Sequence, residues 1–210
     1  MKTEIYLIRH GQSIANFKRC FLGHGDLDLT EAGFLQAKTV AEFLKDVKVD
    51  AIYSSDLQRA YHTALLSAEM RGMKVIREPL LREIFGGEWE NRPYDELLLR
   101  ESFQRWMAND PDISCDGGES VKELRERISR KIGELAEENA GKTIFIFSHG
   151  TPIRSMKILW DHIPLEESRD VPWPGNASVT KAEYENGNFR ILEYARDDFH
   201  GENATAFTLA

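Results

Sequence analysis

Two histidines and two arginines stand in polar clusters that each follow an apolar run. Arg9-His10-Gly11 follows Thr3 to Ile8, Ser54 to Arg59 follows Asp50 to Tyr53, and Ser148-His149-Gly150-Thr151 follows Thr143 to Phe147. Guanidinium groups match the oxygens of a tetrahedral phosphate with directed hydrogen bonds. A histidine between them is biased toward its neutral form, because nearby positive charge disfavours imidazolium. Neutral imidazole keeps a lone pair that can attack phosphorus. Arginines and a second histidine can stabilise the charge on a phosphoryl group in flight. Expelling an alkoxide also requires a proton. Glu83, in Leu80-Leu81-Arg82-Glu83 ahead of Gly86-Gly87, is the carboxyl group placed to give it.

These side chains can meet only if the elements before them are neighbours. Thr3 to Ile8, Asp50 to Tyr53, Lys74 to Ile76 and Thr143 to Phe147 read as short buried strands. Between them lie helical stretches. One is capped by Thr30 and runs to about Asp46, with Phe34, Ala37, Ala41 and Leu44 on one face. A second, capped by Asp56, runs to about Met70, and a third spans Tyr94 to Met107. A fourth, after Asp116-Gly117-Gly118, places Val121, Leu124, Ile128, Ile132 and Leu135 on one stripe. Its remaining charges read as a solvated face. Another runs from Ser148-His149-Gly150-Thr151 toward Trp160. Val179 to Tyr184 and Phe189 to Tyr194 flank Asn186-Gly187, a strong hairpin signal. The pattern predicts a three-layer α/β/α sandwich with a mostly parallel sheet and a C-terminal antiparallel hairpin. In such folds ligands bind beyond the carboxyl ends of the strands, where the three clusters lie.

The 210 residues fit a single domain over 1–210, with hydrophobic residues at 41% and charged residues at 30%, as in ordinary globular proteins. Cys20 and Cys115 are too few and too far apart for a disulfide framework or a thiolate zinc site. With no secretory signal at the start, a cytoplasmic setting is expected. No apolar run is long enough for a membrane span. The formal charge of -8 disfavours nucleic acid and anionic membranes as partners. Any phosphate site must therefore be locally basic against the global sign. Oligomeric state is not legible.

The sequence resembles the histidine phosphatase superfamily, also called phosphoglycerate mutase-like, along nearly its whole length. Leu7-Ile8-Arg9-His10-Gly11-Gln12-Ser13 is similar to the family's signature, and the resemblance continues through Asn16, Gly23, Asp26, Leu29-Thr30, Gly33 and Gln36-Ala37. Ser54 to Ala60 with Thr63-Ala64 resembles its second block, and Glu83 with Phe85-Gly86 and Trp89-Glu90 its acid-bearing loop. Gly117-Gly118-Glu119-Ser120 and Ser148-His149-Gly150-Thr151 with Ile153-Arg154 complete the pattern. The resemblance implies His10 as the phosphorylated nucleophile, Arg9, Arg59 and His149 around the phosphoryl group, and Glu83 as proton donor. Asn16, Gly23 and Gly150 would join them in binding a small phosphorylated metabolite. It implies no metal and no organic cofactor. Residues 84 to 148 are short for the mutase branch, so the phosphatase branch is expected.

Each residue also has a plainer reading. One loop histidine usually has no role, one helix arginine is usually solvated, and Glu88 and Glu90 compete with Glu83 as ordinary loop carboxylates. His24, His62, His162 and His200 read as structural or surface groups, with His24 a candidate for the site mouth. Trp89, Trp106, Trp160 and Trp173 read as core or rim packing. Five ordered blocks on matching elements outweigh these readings for His10, Arg59 and His149. The rival functions are a phosphotransferring mutase and a catalytically idle phosphate-binding module.

Overall fold

The computed structural model of the protein describes residues 1–205. The apolar runs form β1 (Thr3–Arg9), β2 (Ala51–Ser54), β3 (Val75–Arg77), β4 (Thr143–Ser148), β5 (Val179–Glu185) and β6 (Asn188–Arg196). They lie in one sheet in the order β3-β2-β4-β1-β5-β6. The first four strands are mutually parallel, whereas β5 runs antiparallel to β1 and β6 antiparallel to β5. Between β5 and β6, Asn186 and Gly187 take φ of 52° and 83°, the positive pair that a tight two-residue hairpin turn requires. The expected architecture is the observed one.

The helices are α1 (Ile14–Phe17), α2 (Glu31–Phe43), α3 (Gln58–Glu69), α4 (Tyr94–Leu97), α5 (Glu101–Met107), α6 (Val121–Glu138), α7 (Gly150–Trp160) and α8 (Leu165–Ser168). Strand alternation sorts them into layers. Ile5, Leu7, Ile144 and Ile146 pack with Leu124, Ile128 and Ile132 of α6 and Ile153 and Met156 of α7. Tyr6, Ile8, Phe145 and Phe147 pack with Val40 of α2 and Ala64 and Ala68 of α3. Both faces of β4 are thus buried, which is why its sequence is continuously apolar. The apolar stripe of α6 is buried along its length, and Ser120 with Glu123 closes a capping box at its start.

Three local expectations are corrected. Phe34 is exposed, at 41%, and stacks on His62; the inward face of α2 is Gly33, Gln36, Ala37, Val40 and Ala41. Asp56 does not cap α3, because Arg82 takes both of its carboxylate oxygens at 2.7 and 2.5 Å. The first amide of α3, on Gln58, donates instead to Asp26 Oδ1 at 2.7 Å, a cap supplied by a distant loop. Tyr94 to Met107 is two helices, α4 and α5, broken at residues 98–100. Leu97 and Phe103 are both fully buried. On one continuous helix residues six apart point about 120° away from each other, so the break lets both reach the core.

The loop after β1 is pressed against α2 by glycines. A Cβ on Gly33 would lie 2.1 Å from the Gln12 carbonyl oxygen, and one on Gly11 would lie 2.4 Å from the Gly33 carbonyl oxygen. Neither neighbour is a flexible side chain that could step aside. Gly33→Ala should therefore destabilise the fold by about 1–3 kcal/mol, read as a lowered urea midpoint; a wild-type midpoint would contradict this close approach.

Candidate active site

The strand register assembles the site. Arg9 of β1 pairs with Ser148 of β4, so the next residues, His10 and His149, emerge side by side. Their ring centroids are 5.1 Å apart in an edge-on arrangement. The His10 amide donates to the Ser148 carbonyl at 3.1 Å, and the Ser55 amide donates to the Phe147 carbonyl at 2.9 Å. That second bond brings the exit of β2 alongside, with Ser55 Oγ 2.9 Å from His149 Nε2.

His10 is buried at 4% exposure. Its Nδ1 lies 2.7 Å from the Gly11 carbonyl oxygen. A carbonyl can only accept, so Nδ1 carries the proton and Nε2 keeps the lone pair. The backbone here is fixed from several sides. The Asn176 side-chain amide and the Ala177 amide both donate to the His10 carbonyl, at 3.2 and 3.0 Å, and the Gly11 amide donates to Thr63 Oγ1 at 3.0 Å. Burial, then Arg59, then Arg9 hold His10 well below the usual histidine range. The same burial, with Arg59 next, holds His149 neutral. Ser55 Oγ accepts from the Leu57 amide and lies within hydrogen-bond distance of His149 Nε2. His149 Nδ1 is buried and has no hydrogen-bond partner among the described residues.

Arg59 grips a loop as well as facing the cavity. Nη1 donates to the Gly25 carbonyl at 2.8 Å, and Nη2 donates to the carbonyls of Gly23 at 2.8 Å and Leu22 at 3.4 Å. Burial pushes its guanidinium down to about 10, still protonated at neutral pH. Arg9 donates to the Pro174 carbonyl at 2.6 Å. Both arginines line a cleft of about 430 Å³ together with His10, Asn16, Glu83 and Gly150. The Asn16 oxygen accepts from the Ser13 amide and hydroxyl and from Asn176, which leaves the NH₂ end of its amide as the donor.

Glu83 is 9% exposed and sits at the start of α7. One carboxyl oxygen accepts from the Ile84 amide at 2.8 Å and the other from the Thr151 amide at 3.2 Å. Burial raises its pKa, and the two amide bonds pull the other way without cancelling that effect. A carboxyl group raised in this way can hold a proton closer to neutral pH than an exposed glutamate does.

The structure thus brings together His10, Arg9, Arg59, Glu83, Asn16 and Gly150 in the cleft wall; the His149 ring lies 5.1 Å from that of His10 but is fully buried and is not part of that wall. Gly23 stands apart from them. Its amide donates to Glu90 and its carbonyl accepts from Arg59, so both of its backbone polar groups are engaged, and it is absent from the cleft wall. Glu90 is not a merely solvated carboxylate. It accepts the amides of Gly23, His24, Gly25 and Gly86 and ties the two loops together. His24 reaches the Glu83 carbonyl at 3.0 Å and faces a neighbouring groove rather than the cleft. The sequence reading missed Ser13, Tyr94 and Thr151 in the wall, and read Trp106 and Trp173 as packing only. Trp173 had a signal, since an aromatic flanked by Pro172 and Pro174 is fixed in a loop and cannot join a helix or strand core. Tyr94 and Trp106 had none, because their placement follows from the break between α4 and α5.

Among the described residues no three or more His, Cys, Asp or Glu side chains are grouped to hold a metal ion. No described helix is long and apolar enough to cross a membrane. The histidine phosphatase superfamily (branch 1) matches residues 5–197. Phosphoserine phosphatase 1 of Hydrogenobacter thermophilus is 34% identical over 156 residues, covering 73% of this chain and 74% of that protein. Phosphoglycerate mutase-like protein 4 of Arabidopsis thaliana is 34% identical over 159 residues, covering 73% and 69%. The solved phosphoserine phosphatase of Entamoeba histolytica in complex with 3-phosphoglyceric acid superposes with a TM-score of 0.84 at 26% identity, covering 94% and 98%.

The electrostatics make a direct statement about His10. In ¹⁵N-resolved NMR its ring should show the tautomer protonated at Nδ1, with no titration step near the ordinary value of ~6.5. A His10 ring that became cationic near that pH would contradict the geometry.

Proposed function

Because the chain belongs to the histidine phosphatase superfamily and is a phosphatase of small metabolites, we propose that it hydrolyses phosphate monoesters through a phosphohistidine at His10. The observation that carries this reading is the His10 Nε2 lone pair, held neutral beside Arg59 and Arg9 in a cleft that also contains Glu83. Arg9, Arg59, Asn16, the Gly150 backbone and His149 receive the phosphoryl oxygens in this reading. They supply a local positive field in a protein whose formal charge is -8. Nε2 attacks in line, and the N–P bond forms as the bond from phosphorus to the alkyl oxygen breaks. The Glu83 carboxyl proton passes to the departing oxygen, which leaves as the alcohol. Water then attacks the phosphohistidine, gives a proton to the Glu83 carboxylate, and releases inorganic phosphate with His10 restored.

The substrate is a phosphate monoester of a small hydroxylated metabolite. Relatives named for phosphoserine, and one solved with 3-phosphoglyceric acid, support that class. Hydrolysis is metal-independent in this reading. The two guanidinium groups neutralise the charge that a metal cation would otherwise balance, and neighbouring N–H groups donate to it.

The test is a panel of phosphate monoesters incubated with purified protein in the presence of EDTA. Release of inorganic phosphate at the rate seen without chelator is expected. Release that vanished in EDTA and returned with added magnesium or zinc would overturn metal independence.

A further inference from the structure

Arg127 lies on α6, whose charges outside the apolar stripe read as a solvated face, yet its side chain is only 15% exposed. Nη1 donates to the carbonyls of Leu80 at 2.8 Å and Arg82 at 3.1 Å, and Nη2 donates to the Glu83 carbonyl at 3.2 Å. Nε and Nη2 also hold the two Glu119 oxygens at 2.8 and 2.7 Å, a bidentate pair with Glu119 only 14% exposed. Every donor of the fork is thus used on the acid-bearing segment or on Glu119. Glu119 is attached to the other side of the same segment. Its amide donates to the Phe85 carbonyl at 2.9 Å, and its carboxylate accepts the Phe85 amide at 3.2 Å. This gives the Gly117-Gly118-Glu119-Ser120 block a use. Gly118 lets the turn approach, since a Cβ there would lie 2.2 Å from the Phe85 carbonyl oxygen. Glu119 then orients Arg127 across the turn.

We propose that Arg127, oriented by Glu119, is the positioning residue of the proton donor: by tying down three carbonyls of residues 80–83 it sets where the Glu83 carboxyl meets the leaving oxygen. The proposal rests on the reading of Glu83 as that donor. The segment between Pro79 and Phe85 has little regular structure of its own beyond a short 3₁₀ turn at Pro79–Leu81. Without the fork the carbonyls of Leu80 and Arg82 lose a donor in a part-buried place, and the segment is held from fewer sides, by Ser148 Oγ on the Leu81 carbonyl, the Arg82–Asp56 pair and His24 at the Glu83 carbonyl. Proton transfer is sensitive to such shifts, because misplacement of about 1 Å can cost on the order of 100-fold. The phosphoryl-binding groups stand on the exits of β1 and β4, on α1 and on the first turn of α3, and none of them bonds to Arg127.

The experiment measures the first-step rate in single turnover, with an alkyl phosphate and with p-nitrophenyl phosphate. The proteins are wild type, Glu83→Gln, Arg127→Met and the double variant. An alkyl alcohol needs the proton to leave, whereas nitrophenolate does not. Arg127→Met should slow the alkyl ester about tenfold or more and the nitrophenyl ester less than about threefold. In the Glu83→Gln background it should add less than about twofold to the alkyl loss, since the donor is already gone. Glu119→Gln, which keeps the side-chain shape but weakens the grip on Arg127, should show the same ester selectivity in milder form. It carries the test if Arg127→Met does not fold. Equal losses for both esters, or full additivity with Glu83→Gln, would overturn the positioning role while leaving Glu83 as donor. If Glu83→Gln itself lost both esters equally, the donor reading would be wrong and the proposal would fall with it.

Discussion

The site depends on keeping two guanidinium groups buried beside an imidazole. Taking a cation out of water costs several kcal/mol unless its donors are satisfied and opposite charge is near. Arg59 places its fork on the carbonyls of Leu22, Gly23 and Gly25, and Arg9 donates from Nη1 to that of Pro174. Glu83 supplies favourable charge to both when it is ionised. What the protein gains is an electrostatic setting in which His10 cannot easily take a proton. In this account a nucleophile that must be neutral is kept so first by burial and then by the same cations that bind its target.

Much of the remaining structure serves that burial. The carbonyls that satisfy Arg59 belong to a loop whose amides are in turn gathered by one carboxylate, Glu90. The loop is therefore gripped by a cation through its oxygens and by an anion through its nitrogens. In the neighbouring groove, Arg127 and Glu119 do the equivalent for the segment that carries Glu83. These polar clasps surround a sheet that brings the histidines together by register alone, Arg9 opposite Ser148. A one-residue slip of β1 on β4 would turn the side chains of β1 to the opposite faces and part the two rings.

The fold, and the meeting of His10, Arg9, Arg59 and Glu83 at one cleft, were largely legible in the sequence because they rest on local signals. Apolar strands end in polar clusters, the hairpin turn needs two positive φ values, and the α6 stripe repeats at helical spacing. The misses share a physical cause, namely partners distant in the chain. Asp56 looked like a helix cap until Arg82, 26 residues on, took its carboxylate. Gly23 and Glu90 are joined across 67 residues, and nothing in the spacing of either predicts the other. Tyr94 and Trp106 reach the cleft only because residues 98–100 interrupt a stretch whose local pattern is helical throughout. Arg127 sits among exposed charges on α6 and differs from them only in what lies opposite.

The central claim is that phosphate passes through His10. Wild-type protein quenched during turnover of a phosphate monoester should carry phosphate that is lost in acid and retained in base, as a phosphoramidate bond behaves. Mass spectrometry should place it on the peptide containing His10, and it should be missing from His10→Ala, which should also be inactive. Turnover without any protein-bound phosphate, or near wild-type activity in His10→Ala, would contradict the account.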